Sequence, residues 1–166
     1  MSAVDSDGDG NGDNLIQLTN NVDIHDRRPD WSPDGTKIGF SSSRDAGTRA
    51  HEIYVMDSDG KNQERLTNNN VGDRQPAWSP DGKRLLFVSD RDDDAEIFVM
   101  DSDGENQSRL TNNELRDDEP VWSPDGRKIA FVSYLEDDAE IFVMDDDGDN
   151  QSRLTSNEFE DTSPSW

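Results

Sequence analysis

The chain has 166 residues, of which 29% are hydrophobic, and it carries a formal net charge of −23. A surface of that charge repels phosphate backbones and anionic lipid, so we expect no nucleic-acid partner and no membrane partner. The sequence contains no cysteine, which excludes disulfides, thiolate zinc sites and a cysteine nucleophile.

The acidic side chains are mostly aspartate, with 29 Asp against 10 Glu, and only four of the sixteen bases are lysine. This bias resembles proteins of salt-accumulating archaea, where molar salt shortens the Debye length to roughly 3 Å and screens self-repulsion. The composition therefore predicts a halophilic protein, with an ordinary acidic secreted protein as the alternative.

No apolar run approaches the roughly 18 residues of a membrane span, and the sequence from Met1 has no signal-peptide pattern. The sequence is therefore compatible with a cytosolic protein. It is equally compatible with a piece of a longer exported chain, which would be extracellular or periplasmic.

The first twenty residues hold a candidate calcium loop between two predicted strands, Ala3–Asp5 and Leu15–Thr19. The loop has the pattern Asp-x-Asp-x-Asp-Gly-x-x-Asp, which resembles the calcium loops of integrin-type propellers. Calcium takes about six to eight oxygen ligands, and alternating aspartates around a glycine turn can supply them. A solvated Asp/Gly turn is the alternative. The predicted ligands are four carboxylates and one backbone carbonyl, from Asp5, Asp7, Asp9, Asp13 and Asn11.

The stretch Trp-Ser-Pro-Asp-Gly then occurs three times, at Trp31–Gly35, Trp78–Gly82 and Trp122–Gly126, and Trp166 begins a fourth copy. The tryptophans are 47, 44 and 44 residues apart. A period of roughly 40–45 residues with strand-like patterning is typical of β-propeller blades. We expect the tryptophans to pack between blades, because they recur beside every such turn.

Each repeat is predicted to contain four short strands. In the second repeat, Ser79–Gly82 fits a type I hairpin turn, and a polar loop is expected at Asp90–Asp94. The third strand is apolar on both faces, which implies burial between neighbouring blades. The predicted strands of this repeat are Gln75–Ser79, Lys83–Ser89, Ala95–Asp101 and Gln107–Thr111.

The repeats together predict an all-β fold, a partial β-propeller of four-stranded antiparallel blades with three full blades and split terminal strands. Counted from each tryptophan, the blades are 31–77, 78–121 and 122–165. Residues 1–30 supply the last two strands of another blade plus a lead-in, and residue 166 starts the next. Residues 78–121 and 122–165 are identical at 29 of 44 positions, which favours recent duplication or design.

These motifs resemble the TolB-like propeller repeat. The resemblance rests on Pro-x-Trp-Ser-Pro-Asp-Gly, an apolar strand, Ser-x-Arg-Asp, Glu-Ile-Tyr/Phe-Val-Met, Asp-Gly and Leu-Thr, and it covers nearly the whole chain from Val4. It implies a binding role without a particular ligand, in a periplasmic binding protein or a domain beside a hydrolase. One departure is that Arg44 and Arg91 of the Ser-x-Arg-Asp motif have Leu135 as their counterpart in the third repeat.

An aspartate lies three residues before the proline that opens each repeat. This position begins the innermost strand, so the four copies are predicted to face one another around a central channel. There they would hold a cation or a basic group of a partner, and mutual repulsion would raise some of their pKa values. The alternative is that each carboxylate caps its own turn. The predicted channel ring consists of Asp26, Asp73, Asp117 and Asp161.

Catalysis has little support in the sequence. Only His25 and His51 are present, neither recurs, and neither a nucleophile elbow nor a nucleotide-binding glycine loop occurs. We therefore expect a non-enzymatic scaffold that binds protein or a small polar ligand, with calcium (Ca2+) support.

The terminal half-blades are predicted to complement each other. Within one chain they would close a small four-bladed ring, and across two chains they would form a homo-oligomer, a dimer being favoured. The other functional interpretations are a fragment or amplified repeat with no ligand and an accessory domain of a hydrolase.

Overall fold

The computed structural model describes residues 16–45, 50–92, 94–135 and 138–166. In this part of the chain every regular element is a strand, and no helix is present that could cross a membrane. The strands are β1 Asp26–Trp31, β2 Lys37–Ser42, β3 Glu52–Asp57, β4 Glu64–Arg65, β5 Asp73–Trp78, β6 Arg84–Asp92, β7 Asp94–Asp101, β8 Ser108–Arg109, β9 Arg116–Trp122, β10 Lys128–Leu135, β11 Asp138–Asp145 and β12 Ser152–Arg153.

The strands form three four-stranded antiparallel sheets, each built from consecutive strands in sequence order. We call them blade 1 (β1–β4), blade 2 (β5–β8) and blade 3 (β9–β12). This arrangement confirms the predicted all-β architecture of four-stranded antiparallel blades. The first strand of each blade ends at the repeat's tryptophan, so each sheet starts several residues before it.

The strand bounds differ from the sequence prediction at several places. The predicted strand Gln75–Ser79 is Asp73–Trp78, and residues 16–19 of the predicted strand Leu15–Thr19 are not a strand. The expected polar loop at Asp90–Asp94 is mostly strand, because β6 and β7 pair as far as Asp92 opposite Asp94. Backbone pairing continues there despite the charged side chains, since hairpin hydrogen bonds do not require apolar residues. The outer strand is shorter than predicted, with only Ser108–Arg109 paired to β7.

The Ser-Pro-Asp-Gly turns form as predicted, each closed by a hydrogen bond from the glycine N–H to the serine carbonyl. In the second repeat the Gly82 nitrogen lies 2.9 Å from the Ser79 oxygen. The Asp81 carboxylate accepts a hydrogen bond from the Ser79 hydroxyl at 2.7 Å and so braces the turn. Gly82 has a φ of +70°, a conformation that glycine adopts without steric cost.

The core lies between the blades rather than within any one of them. One face of blade 1, including Ile53 and Leu66, packs against Trp78, Phe87 and Met100 of blade 2. The opposite face of blade 2 packs against blade 3 in the same way. Each blade is therefore buried by its neighbours, as the apolar faces of the third strands predict.

The tryptophans pack as predicted where they lie between two complete blades. Trp78 and Trp122 are 8% and 6% exposed within the two interfaces, whereas Trp31 and Trp166 are 53% and 55% exposed. Burial of this side chain therefore depends on the preceding and following blades rather than on the local turn.

The terminal segments make contacts that repeat those between blades. The Trp166 indole N–H donates to the Val121 carbonyl at 3.3 Å, as Trp122 does to Ala77 at 3.2 Å. The amide of a repeated glutamine reaches back to a leucine carbonyl of the preceding segment in three places. These pairs are Gln63 to Leu18 at 3.4 Å, Gln107 to Leu66 at 3.3 Å and Gln151 to Leu110 at 3.2 Å. Leu18 thus takes the position of the end of a preceding blade.

Candidate functional site

The four aspartates of the predicted channel ring occupy equivalent places in the repeat. Asp26 and Asp73 begin β1 and β5, Asp117 is the second residue of β9, and Asp161 lies in the segment after β12. Each carboxylate accepts a hydrogen bond from the side-chain amide of an asparagine four or five residues earlier. The pairs are Asn21 to Asp26 at 2.7 Å, Asn69 to Asp73 at 2.6 Å, Asn113 to Asp117 at 2.8 Å and Asn157 to Asp161 at 2.5 Å. Among the described residues no three His, Cys, Asp or Glu side chains form a cluster able to hold a metal ion.

The asparagine also connects this aspartate to the previous blade. The Asn69 backbone N–H donates to Glu52 of blade 1 at 2.9 Å, and the Thr67 hydroxyl donates to the same carboxylate at 2.6 Å. Glu52 is only 1% exposed. A buried polar chain therefore runs from Glu52 through Asn69 to Asp73 of blade 2. It provides partners for most of these buried groups, while the Asp73 Oδ1 atom has no hydrogen-bond partner among the described residues.

In blades 1 and 2 the aspartate is also paired with the arginine of the Ser-x-Arg-Asp motif. Arg91 donates to Asp73 at 3.1 Å, to the Ser89 hydroxyl at 2.8 Å and to the Gln107 side-chain oxygen at 3.0 Å. Its guanidinium carbon lies 4.6 Å from the centre of the Phe98 ring. One arginine thus neutralises the carboxylate and covers an aromatic side chain.

Arg44 makes the same set of contacts in blade 1. It donates to Asp26 at 3.1 Å and to Ser42 at 2.9 Å, it bonds Gln63, and it lies 4.7 Å from the centre of the Tyr54 ring. Burial alone would raise the pKa of Asp26, but the hydrogen bonds from Ser42, Arg44 and Thr19 hold that pKa below its ordinary value.

Blade 3 has Leu135 at the arginine position, and its aspartate has a different electrostatic environment. Asp117 is fully buried and retains the hydrogen bond from Asn113. Burial raises the pKa of Asp117 to about 6, nearby Glu96 adds to this, and the side chains of Ser133, Asn113 and Thr111 offset it only in part. Desolvation is therefore the main cause of the raised pKa of Asp117, and the nearby carboxylate that adds to it is Glu96, which is not one of the ring aspartates.

The residue just before each proline was not identified from the sequence, yet it shapes the centre of the molecule. It has a left-handed backbone in every copy, with φ values of 53° at Arg28, 56° at Gln75, 54° at Glu119 and 57° at Ser163. In all three blades the pairing register of the innermost strand shifts at this point. Such a conformation costs a non-glycine residue about 1–3 kcal/mol and is held by its surroundings. The sequence signal was available as the recurring Asp-x-x-Pro spacing.

These bulges are connected from blade to blade by side chains. The Gln75 side-chain oxygen accepts the Glu119 backbone N–H at 2.9 Å, and the Glu119 carboxylate accepts the Ser163 backbone N–H at 2.7 Å. Arg28 has no acceptor atom to offer at this position. Between blades 1 and 2 the Asp30 carboxylate instead accepts the Trp78 backbone N–H at 2.7 Å.

The bulges and their prolines line a central cavity of about 460 Å³. Its wall combines charged groups of both signs, Arg28 and Glu119, with apolar surface from Pro76, Trp78 and Trp122. The ring aspartates lie two residues earlier and do not line this cavity. The groups that face the centre are therefore the left-handed residues instead of the predicted carboxylates.

The sequence also predicts a calcium loop near the start of the chain. The proposed calcium ligands Asp5, Asp7, Asp9, Asn11 and Asp13 lie outside the described residues.

Burial lowers the pKa of His51, and the nearby positive charges of Arg27, His25 and Arg74 lower it further. The protonated form of His51 is therefore disfavoured in the folded chain.

A family model of the TolB beta propeller domain matches residues 13–166. The chain belongs to the TolB β-propeller family. Among curated proteins, no match was found.

Solved structures give the same assignment. A protein assigned as TolB from Agrobacterium tumefaciens is 33% identical with a TM-score of 0.74, over 83% of this chain and 51% of that one. TolB from Acinetobacter baumannii is 26% identical with a TM-score of 0.72, over 87% of this chain and 36% of that one. The chain thus spans about half of the first relative and about a third of the second.

A puromycin-hydrolyzing peptidase from Mycobacterium tuberculosis shares the fold, with 18% identity and a TM-score of 0.67. The match covers 82% of this chain and 22% of the peptidase. At this identity the similarity concerns the architecture of the blades alone.

Proposed function

We propose that this TolB-family propeller is a non-enzymatic scaffold that binds a protein partner at its central cavity. The observation that carries the proposal is the cavity of about 460 Å³ where the left-handed residues of all the repeats converge. Several residues in strained conformations at one concave site are typical of ligand-binding surfaces.

The chemistry of the wall suits a short polar peptide segment. Trp78, Trp122 and the prolines provide apolar contact. Arg28 provides a basic group, and Asp30 and Glu119 provide acidic groups. A peptide backbone with mixed side chains can use all of these groups, whereas a purely apolar ligand would leave the charges unpaired. The same proposal includes a small polar molecule as the ligand of this cavity in place of a peptide.

One alternative is that the propeller is an accessory domain of a hydrolase, a setting that the TolB-like repeat also implies. In this alternative the scaffold would still bind a peptide, and the chemistry would belong to the companion domain.

Charge reversal at the cavity tests the proposal. Peptides selected from a random library on the wild-type protein should bind an Arg28→Glu variant at least about tenfold more weakly, a change of roughly 1.4 kcal/mol. Lys61→Glu makes the same charge change on an exposed turn and is the matched control. Peptides that bind both variants as well as the wild type would contradict binding at the cavity.

We further propose calcium binding by Asp5, Asp7, Asp9, Asn11 and Asp13. The support is the Asp-x-Asp-x-Asp-Gly-x-x-Asp pattern, which offers the oxygen ligands that calcium prefers. Calorimetric titration of metal-stripped protein with calcium should release heat, and an Asp7→Asn/Asp9→Asn variant should not. The absence of heat at millimolar calcium would exclude the site.

Self-association through the terminal blades is the third part of the proposal. It is supported by the contacts of Leu18 and Trp166, which reproduce those between complete blades, and by Leu154, which is 60% exposed on the outer face of blade 3. Light scattering after size exclusion should show a dimer, and a stable monomer at micromolar concentration would exclude it. The near-identity of blades 2 and 3 also fits an amplified repeat selected for folding alone.

The periplasm is the proposed location, since the structural relatives are TolB proteins and the chain spans only part of them. Halophilic adaptation remains a proposal from composition. It predicts that molar potassium chloride raises the melting temperature, because salt screens the net charge of −23.

A further inference from the structure

The arginine contacts of blades 1 and 2 define a binding cage for a guanidinium group. In blade 2 the cage of Arg91 consists of the Asp73 carboxylate, the Ser89 hydroxyl, the Gln107 side-chain oxygen and the Phe87–Phe98 ring pair. It offers one acceptor to each guanidinium nitrogen and an aromatic face to the carbon. This combination of acceptors and aromatic surface is selective for guanidinium.

Blade 3 retains every wall of this cage. Phe131 and Phe142 have ring centres 5.7 Å apart at 32°, against 5.5 Å and 31° in blade 2. Gln151 donates to Leu110 and Gly148 just as Gln107 donates to Leu66 and Gly104, so its side-chain oxygen has the same orientation. We call this set the blade 3 cage, and its members are Asp117, Ser133, Gln151, Phe131 and Phe142.

The arginine is replaced by Leu135, and the strand pairing there is regular in blade 3 where blade 2 has a register shift. The surrounding side chains differ from those of blade 2 in two ways. Phe142 is half-buried where its counterpart Phe98 is 5% exposed, so part of the aromatic surface is open. Asp117 is fully buried without the arginine partner that Asp73 has.

We propose that the blade 3 cage binds a guanidinium group supplied from outside the blade, as the arginine side chain of a partner protein. The chemistry of the cage identifies the ligand as a guanidinium group, because equivalent side chains bind the guanidinium groups of Arg44 in blade 1 and Arg91 in blade 2. Arg91 keeps 26% of its side chain exposed in the equivalent position, so the cage is reachable from solvent. None of its residues lines the central cavity, which makes this a second binding site, independent of the first.

An acidic chain with a net charge of −23 also attracts arginine-bearing partners over a distance. Lysine is the weaker alternative, since an ammonium group cannot donate to the serine, glutamine and aspartate acceptors in one plane.

The binding test follows the carboxyl carbon resonances of Asp117 and Asp73 by NMR as the pH is varied. N-acetylarginine amide is added at a concentration well below that which unfolds the chain, and N-acetyllysine amide at equal ionic strength is the control. We expect arginine to lower the pKa of Asp117 by about one unit, as an adjacent opposite charge does, and to shift the Phe142 ring resonances. Asp73 already has Arg91 and should not respond.

Two variants make the test specific. Leu135→Arg fills the cage from within and should abolish the response. A second variant replaces residues 134–136 with Asp-Arg-Asp, the blade 2 sequence at the point where its strand pairing is irregular. An equal response to arginine and lysine, or an undiminished response in both variants, would overturn the proposal.

Methylguanidinium distinguishes a bare guanidinium from an arginine side chain. An equal response to methylguanidinium and N-acetylarginine amide supports recognition of the guanidinium head. A response to methylguanidinium alone would contradict arginine as the ligand, because the arginine stem would then not fit.

Discussion

Residues 78–121 and 122–165 are identical at 29 of 44 positions, and blades 2 and 3 have the same four-stranded sheet, but a buried aspartate has different partners in the two blades. Asp73 and Asp117 are both fully buried and both accept a hydrogen bond from an asparagine. Asp73 also forms an ion pair with Arg91, whereas the residue of blade 3 that corresponds to Arg91 is Leu135. The fold of a blade therefore does not require the ion pair, and the arginine can be lost while its surroundings remain.

Removing Arg91 should have the largest effect. Arg91→Met leaves Asp73 buried without a counter-charge, and we expect a loss of about 2–3 kcal/mol in the free energy of unfolding, less than for a fully buried pair because Arg91 is partly exposed. Urea unfolding of the wild type and the variant at neutral pH measures this loss in the free energy of unfolding. The double variant Asp73→Asn/Arg91→Met should recover part of the loss, and no recovery would show that aromatic packing rather than charge is responsible.

Neutralising Asp117 should stabilise the chain above pH 6. Its folded-state pKa of about 6 lies above its ordinary value of 3.8. The folded state therefore binds the proton more tightly, and the stability from this group is present below pH 4 and lost as the pH rises through 6. We expect Asp117→Asn to gain about 1–2 kcal/mol at pH 7.5 and nothing near pH 4. Asp73→Asn at pH 7.5 is the control, because it should destabilise.

Restoring the arginine should give a smaller gain. Leu135→Arg places a guanidinium beside Asp117 and over Phe142, and we expect about 1 kcal/mol of added stability at pH 7.5, smaller at pH 4 where Asp117 is protonated. Urea unfolding at both pH values measures the difference. Loss of stability at both pH values would mean that Leu135 makes apolar contacts that outweigh the ion pair.

The leucines that follow the last strands of blades 2 and 3 should also contribute differently to stability. Leu110 of blade 2 packs against the core shared with blade 3, whereas its counterpart Leu154 is 60% exposed. We expect Leu110→Ala to cost about 1–2 kcal/mol and Leu154→Ala less than about 0.5 kcal/mol in dilute solution. A rise in the cost of Leu154→Ala with protein concentration would indicate that a second copy covers this face.

Much of the fold could be predicted from the sequence because the repeat carries local signals. The Ser-Pro-Asp-Gly turns, the two-faced apolar strands and the tryptophan packing are each determined by short-range chemistry or by period. Strand ends were less accurate, since Asp92 and Asp94 pair although their side chains suggest a loop.

The site was harder to predict because it depends on contacts between blades. The spacing of the four aspartates was recognised, but not that asparagine side chains bind them, nor that Arg44 and Arg91 pair with two of them. The left-handed residues Gln75 and Glu119 face the centre instead, as a result of a strand bulge that no single residue type signals.

The most direct measurement is the pKa of the Asp117 carboxyl in the wild-type protein and in Leu135→Arg, read from its carboxyl carbon resonance. We predict a value near 6 in the wild type, as burial without an arginine requires, and a fall of at least about one unit in the variant. An ordinary carboxyl pKa in both proteins would contradict the account, because blade 3 would then bury Asp117 without any need for a guanidinium group.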